Sequence, residues 1–239
     1  TGIQEGHIYS FRIAAYNEGG ESFPSETVSI GRPVGSNSNR VLIVNNFDRV
    51  SGPAWFDTPT YAGFDNGTDS GVPYIQDIAY IGPMYQFRRS DQWMTNDRPG
   101  FGASYTDKAG ETVAGNTFDY PYVHGKAVME AGYPFFSCSN ETFCNDSTFR
   151  KEAWSVDLVC GKQVTTVVGS GLQKKYEVFP AEMQEALAAF AADGGNILVS
   201  GAYIGTDIWD QIYPYEKDKD ETAAAKKFAQ NVLGYKWAA

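Results

Sequence analysis

The run Val41-Leu42-Ile43-Val44 is uninterrupted, largely β-branched, and closed at once by Asn45-Asn46-Phe47-Asp48. A strand with one wet face alternates apolar and polar residues, so a run apolar at every position predicts a strand buried on both faces, as in a parallel sheet. Comparable runs recur at Pro134-Phe135-Phe136-Ser137, Val156-Asp157-Leu158-Val159-Cys160-Gly161 and Asn196-Ile197-Leu198-Val199-Ser200-Gly201. Helical stretches separate them. One covers residues 122–131, a second residues 180–192 with Pro180 at its first turn and Gly194-Gly195 as its stop, and a third residues 222–233, ended by Gly234. Strand and helix in alternation predict a doubly wound α/β domain with a mostly parallel sheet and right-handed crossovers over residues 40–239. The chain stops shortly after the third helix, where another strand would begin, so the domain is expected to be truncated at its C-terminus.

The first 33 residues follow another rhythm. Residues 8–16 and 22–30 alternate around Asn17-Glu18-Gly19-Gly20-Glu21, which predicts a β-hairpin of half-buried strands. Such a pair cannot bury a face alone and must lean on something else. Residues 34–39, Val-Gly-Ser-Asn-Ser-Asn, form a polar linker. Residues 49–119 are rich in Gly, Pro, Asp, Asn and aromatics without helical period. They are expected to be a long insertion after the first α/β strand, with short strands at residues 74–80 and 85–88. Their aromatic content argues against disorder, and a lid over the carboxyl ends of the strands is the expected role.

Charge narrows the function. Asp and Glu outnumber Lys and Arg 29 to 19, a net charge of −10, which leaves no clustered basic face for nucleic acid. Two His and three Cys without an H-E-x-x-H exclude a pair of zinc sites, and the apolar runs are far shorter than the ~20 residues of a membrane span. No signal peptide precedes Thr1, so the chain is expected to be an excerpt from which a targeting segment has been removed. Cys138 and Cys144 are six positions apart, close enough for a disulfide, whereas Cys160 reads as a buried thiol. The disulfide would imply an extracytoplasmic location; the alternative is three reduced thiols.

In an open parallel sheet the ligand crevice lies at the carboxyl ends of the strands. There the sequence places Asn45, Asn46, Asp48, Ser139, Gln163 and Asp207 as candidate ligand-binding residues, each equally able to cap a turn. A hydrolase would use His124 as base, Asp97, Asp119 or Asp48 to orient it, and Ser200 or Ser139 as nucleophile, although no G-x-S-x-G occurs. A structural histidine is the competing reading of His124. Asp65-Asn66-Gly67-Thr68-Asp69 spaces oxygens as calcium loops do, but Gln76 stands where an EF-hand needs Glu. Asp65 and Asp69 remain candidates for a different calcium site, and no other cofactor is expected. Gly100-x-Gly102 lacks a third Gly and argues against a nucleotide. Trp55, Phe56, Tyr61, Tyr74, Tyr80, Tyr85 and Trp93 could stack on sugar faces or form the core of the insertion.

Three stretches carry family resemblances. Residues 9–25, Tyr-Ser-Phe-Arg-Ile-Ala-Ala-Tyr-Asn-Glu-Gly-Gly-Glu-Ser-Phe-Pro-Ser, resemble the last two strands of a fibronectin type III domain. That resemblance implies a spacing or adhesive role and more of the domain upstream. Residues 192–205, which include Gly194-Gly195-Asn196-Ile197-Leu198-Val199-Ser200-Gly201, resemble the G-G-x-L-L-G-x-C-x-G segment of class I glutamine amidotransferase-like domains. The resemblance implies a flavodoxin-like sheet with a nucleophile at the elbow, a position taken by Tyr203; a phenol with a pKa near 10 cannot replace a thiolate at pH 7, and no His follows His124. Together with Asn45-Asn46-Phe47-Asp48-Arg49-Val50 and Gly115-Asn116-Thr117-Phe118-Asp119-Tyr120, these stretches resemble large secreted bacterial proteins labelled xanthan lyase or joined to cell-wall amidase modules. The expectation is a degenerate α/β module of a secreted or surface protein, serving in binding or architecture. Its implied partners are a polysaccharide or cell-wall glycan and the other modules of the same polypeptide. A hydrolase or carbohydrate-active enzyme using His124 is the alternative.

Overall fold

The computed structural model describes residues 2–13, 15–18, 20–21, 26–36, 38–47, 55–57, 59–64, 87–88, 120–161, 163, 165–168, 174–210 and 219–238. The chain divides into two compact units: Thr1–Phe47 with Asp119–Thr165 and Tyr176–Ala239, and Asp48–Phe118 with Thr166–Lys175. In chain order the strands up to the first helix are β1 (Ile8–Phe11), β2 (Tyr16–Asn17), β3 (Gly20–Glu21), β4 (Val28–Gly31), β5 (Val41–Asn45), β6 (Trp55–Asp57), β7 (Tyr61–Phe64) and β8 (Phe87–Arg88). Then follow α1 (Tyr120–Glu130), β9 (Phe135–Ser139), α2 (Asn140–Asn145), α3 (Ser147–Lys151), β10 (Ser155–Val159), β11 (Thr166–Val168) and β12 (Lys174–Tyr176). The chain continues through α4 (Ala181–Ala192), β13 (Asn196–Ser200), α5 (Thr206–Trp209) and α6 (Lys219–Asn231).

In the larger unit six strands form one mixed, mostly parallel sheet in the order β1-β4-β9-β5-β10-β13, flanked by helices, which is an α/β fold. Strands β9, β5, β10 and β13 are parallel, while β4 runs antiparallel to both of its neighbours. The first parallel strand in the chain, β5, is thus interior, with β9 on one side and β10 and β13 on the other. The chain runs from β5 to β9 on one side and then crosses back to β10 on the other, so the strand order reverses at β5.

Register and alternation assign the faces. Leu42 aligns with Phe136 and Val156, and Val44 with Cys138 and Leu158. These residues share a face with the core formed by Phe143 of α2, Met183, Leu187 and Phe190 of α4, and Phe228 of α6. The opposite face carries Phe135, Ile43 and Asp157, and α1 lies on it. That approach is close: a Cβ on Gly125 would sit 2.1 Å from the Phe135 ring, so α1 can settle on β9 only with glycine there. Leu198 of β13, level with Asp157, is 61% exposed.

The hairpin read from alternation is present as β1 and β4, with β2 and β3 as a short ladder nearer its tip. It leans on the α/β sheet itself. Strand β4 pairs with β9, Ser29 N–H donates to Ser137 Oγ at 2.6 Å, and Ser29 and Ser10 hydroxyls meet at 2.8 Å. This solves the burial problem of an isolated hairpin by adding it to a larger sheet.

The apolar runs became β5, β9, β10 and β13, and the helical stretches α1, α4 and α6. Unforeseen were α2 and α3, too short for a period to register, although Ser139 and Asp146 cap them by accepting Thr142 N–H and the Thr148 and Phe149 N–H groups. In the smaller unit β6, β7 and β8 form an antiparallel sheet, and β11 pairs with β12. The strand expected at residues 74–80 lies outside the described residues, as does most of the expected lid.

Candidate functional site

The carboxyl ends of β5 and β10 meet through Asn46. Its N–H donates to Val159 O at 2.8 Å, and its side-chain amide donates to Val178 O at 2.7 Å and reaches Cys160 Sγ at 3.3 Å. One buried side chain therefore ties two strand ends to the segment leading into α4. Its neighbour Asn45, also buried, donates from Nδ2 to Glu26 Oε2 at 3.1 Å, and its Oδ1 is buried without a partner among the described residues. Burial pushes the Glu26 carboxyl up to about 7, the Asn45 hydrogen bond opposes this, and the charge of Glu141 adds to it.

The turn after β13 lies on the turn after β10. Cys160 N–H donates to Ser200 O at 2.7 Å and Ala202 N–H to Gly161 O at 2.8 Å. A Cβ on Gly201 would fall 2.7 Å from that of Cys160, so the approach demands glycine. Two residues further on stands Tyr203, the position at which the sequence resemblance puts the nucleophile. Tyr203 itself is half-buried and packs against the core. Neither position supplies a thiol. The nearby Cys160 is buried, and desolvation pushes its thiol up to about 12, which keeps it protonated and unreactive.

Other predicted residues turn out to hold the fold. Asp207 is buried and accepts Thr165 N–H on Oδ1 at 2.7 Å and Val178 N–H on Oδ2 at 3.2 Å, so its carboxylate anchors two loops. Ser139 is the N-cap of α2. Gln163 closes the turn after β10 through its N–H to Cys160 O at 2.9 Å. Ser200 ends β13 on the face that α1 partly covers. The expected Cys138–Cys144 disulfide is absent: both are free thiols, Cys138 buried in β9 under α2 and Cys144 half-buried, and burial raises both.

His124 found an acid that the sequence did not propose. Its Nδ1 lies 2.7 Å from Oδ2 of Asp157, a buried carboxylate in the middle of β10, whose Oδ1 has no partner among the described residues. The hydrogen bond raises the His124 pKa, burial opposes it, and the carboxylate charge adds to the rise. Tyr120 meets the imidazole edge-on at 6.3 Å, and Phe47 meets Tyr120 at 5.5 Å. The signal was available: Asp157 is the one acid inside an otherwise apolar strand, and such a residue needs a buried partner. No hydroxyl is hydrogen-bonded to His124 among the described residues. The other expected orienters, Asp48, Asp97 and Asp119, lie outside them, as do the calcium candidates Asp65 and Asp69. Among the described residues no cluster of His, Cys, Asp and Glu could hold a metal ion. Comparison of the chain with protein-family models, curated proteins and solved structures finds no match.

Proposed function

We propose that this chain is a glycan-binding or architectural α/β module of a secreted or surface protein that acts on polysaccharide or cell wall, built on an amidotransferase-like plan without its nucleophile. The observation that carries the reading is the turn after β13, where Gly201 occupies the elbow against Cys160 and Tyr203 packs inward. Around it, Asn46 and Asp207 spend polar atoms on strand ends and loops. The fibronectin-like sequence of residues 9–25 supports a place beside other modules of one polypeptide. Among the described residues no helix is long and apolar enough to cross a membrane.

One observation favours a second reading, a hydrolase. A buried carboxylate on Nδ1 is how a catalytic imidazole is oriented, leaving Nε2 to take a proton. A polysaccharide and peptidoglycan binding array, run beside a hydrolysis and lyase panel with wild type and His124→Ala, separates the two. The binding module predicts glycan retention by both proteins and turnover by neither. Turnover that vanishes in His124→Ala establishes the hydrolase instead.

A further inference from the structure

Opposite the strand ends described above, the amino-terminal rim of β10 and β13 carries a cleft of about 450 Å³ between α3, the end of α4 and the start of the two strands. Its walls include Arg150, Lys151, Trp154 and Asp193, and Gly194-Gly195 contribute to its lining. That size lies within the range of small-ligand sites.

Trp154 is 43% exposed, with its main chain hydrogen-bonded and its ring stacked. Tyr133 stacks against it at 5.5 Å with the rings 5° from parallel. Its N–H donates to Arg40 O at 2.9 Å, and its carbonyl accepts both the backbone N–H and the side-chain amide of Asn196 at 3.2 Å. The glycine lining is equally fixed. Gly194 has φ +86°, and a Cβ on Gly195 would enter the Phe190 ring at 2.3 Å, so this wall must remain bare backbone. Arg150 is immobilised too: its guanidinium donates to Phe143 O and to Cys144 O and lies 5.5 Å over the Phe143 ring. Lys151 beside it is exposed, so two cations and one acid, Asp193, line the cleft.

A pinned indole at a cleft suits the C–H face of a pyranose, because little side-chain freedom is lost on contact. Adjacent cations suit a carboxylate, and an aspartate with bare backbone suits hydroxyls. The net charge of −10 opposes a polyanion at long range, but that field is screened within about 8 Å at physiological salt, where the local cations decide. We propose that this cleft binds a uronic acid residue of an acidic polysaccharide. The proposal rests on the glycan-binding reading and adds to it a site and a ligand class.

The test is calorimetric titration of the full chain with oligogalacturonate and with a neutral cello-oligosaccharide, at low and at physiological salt. Oligogalacturonate is expected to bind and the neutral sugar to bind more weakly. Trp154→Ala should lose roughly tenfold or more in affinity, and Trp154→Phe, which keeps a ring, should lose less. Lys151→Gln should weaken only the acidic ligand and flatten its salt dependence. If Trp154→Ala melts early, Trp154→Phe and Lys151→Gln carry the test. Equal affinity for acidic and neutral sugars, or oligogalacturonate binding that none of the variants changes, overturns the proposal. Binding of other glycans on the array, unaltered in Trp154→Ala, refutes this cleft while leaving the binding-module reading standing. No binding of any glycan by the wild type refutes both.

Discussion

On the face carried by Leu42, Val44, Val156 and Leu158, the strands present apolar side chains, and α2, α4 and α6 contribute Phe143, Met183, Leu187 and Phe228 to seal them. On the other face the strands carry Ile43 and Phe135, just as buried, beside the polar Ser137, Asp157 and Ser200; α1 covers part of the area, and at the β13 edge Leu198 stands 61% exposed. Strand alternation makes the two faces chemically independent, so one can be spent on stability while the other keeps polar groups at hand. The contrast also explains why His124 reaches its acid on the α1 side: a buried carboxylate is tolerated only where a donor is brought to it.

The largest effect expected from this contrast is a pair of truncations at corresponding depth. Leu158→Ala removes a fully buried side chain from the face under α2, α4 and α6 and should cost about 3 kcal/mol, whereas Leu198→Ala at the exposed edge of the other face should stay within about 0.5 kcal/mol. Urea midpoints measure both, and equal losses would mean that the β13 edge is covered. Next comes Glu26. Its folded pKa of about 7 exceeds the ordinary 4.5, so the folded state is penalised when the carboxyl ionises. Stability should therefore fall as pH rises from the ordinary value through about 7, with no effect from this group below both values. Glu26→Gln should abolish that fall and be more stable above neutrality by about 1–3 kcal/mol, while matching wild type in acid. Identical pH profiles for the two proteins would remove Glu26 from the buried rim.

The smallest effect is at the dyad. The raised pKa of His124 contributes stability that is fully present below its ordinary value near 6.5 and is lost as pH rises through the folded value. Asp157→Asn, made in the Glu26→Gln background so that the two titrations do not overlap, should erase this dependence, which begins near pH 6.5 and runs upward through the folded value. Its size is limited because the His124 side chain is 27% exposed and solvent screens the pair. A persistent slope in thermal melts would show that another group titrates there.

Local pattern was enough to place β5, β9, β10 and β13 and α1, α4 and α6, because apolar runs and helical amphipathicity show in neighbouring residues, but it gave β13 two buried faces where the sheet makes it an edge with Leu198 61% exposed. It also placed Asn45 and Asn46 at the end of β5, whereas His124, read at the entrance of a helix, lies within α1. Pattern could not choose partners. His124 and Asp157 are 33 residues apart, Asn46 and Cys160 114, and Ser29 and Ser137 108, and nothing in their immediate neighbours specifies those pairs. The glycine at 201 and the thiol at 160 likewise acquire meaning only when two turns are stacked.

What the sequence by itself determined is the four apolar strands of the α/β sheet and its three longer helices, whose patterns lie in neighbouring residues. Only the tertiary structure decided that the N-terminal hairpin joins the α/β sheet through β9, that Asp157 lies against His124, and that Asp207 and Asn46 serve the fold. The reason is that hydrogen bonds between distant segments depend on register and crossover direction, which the whole sheet settles together.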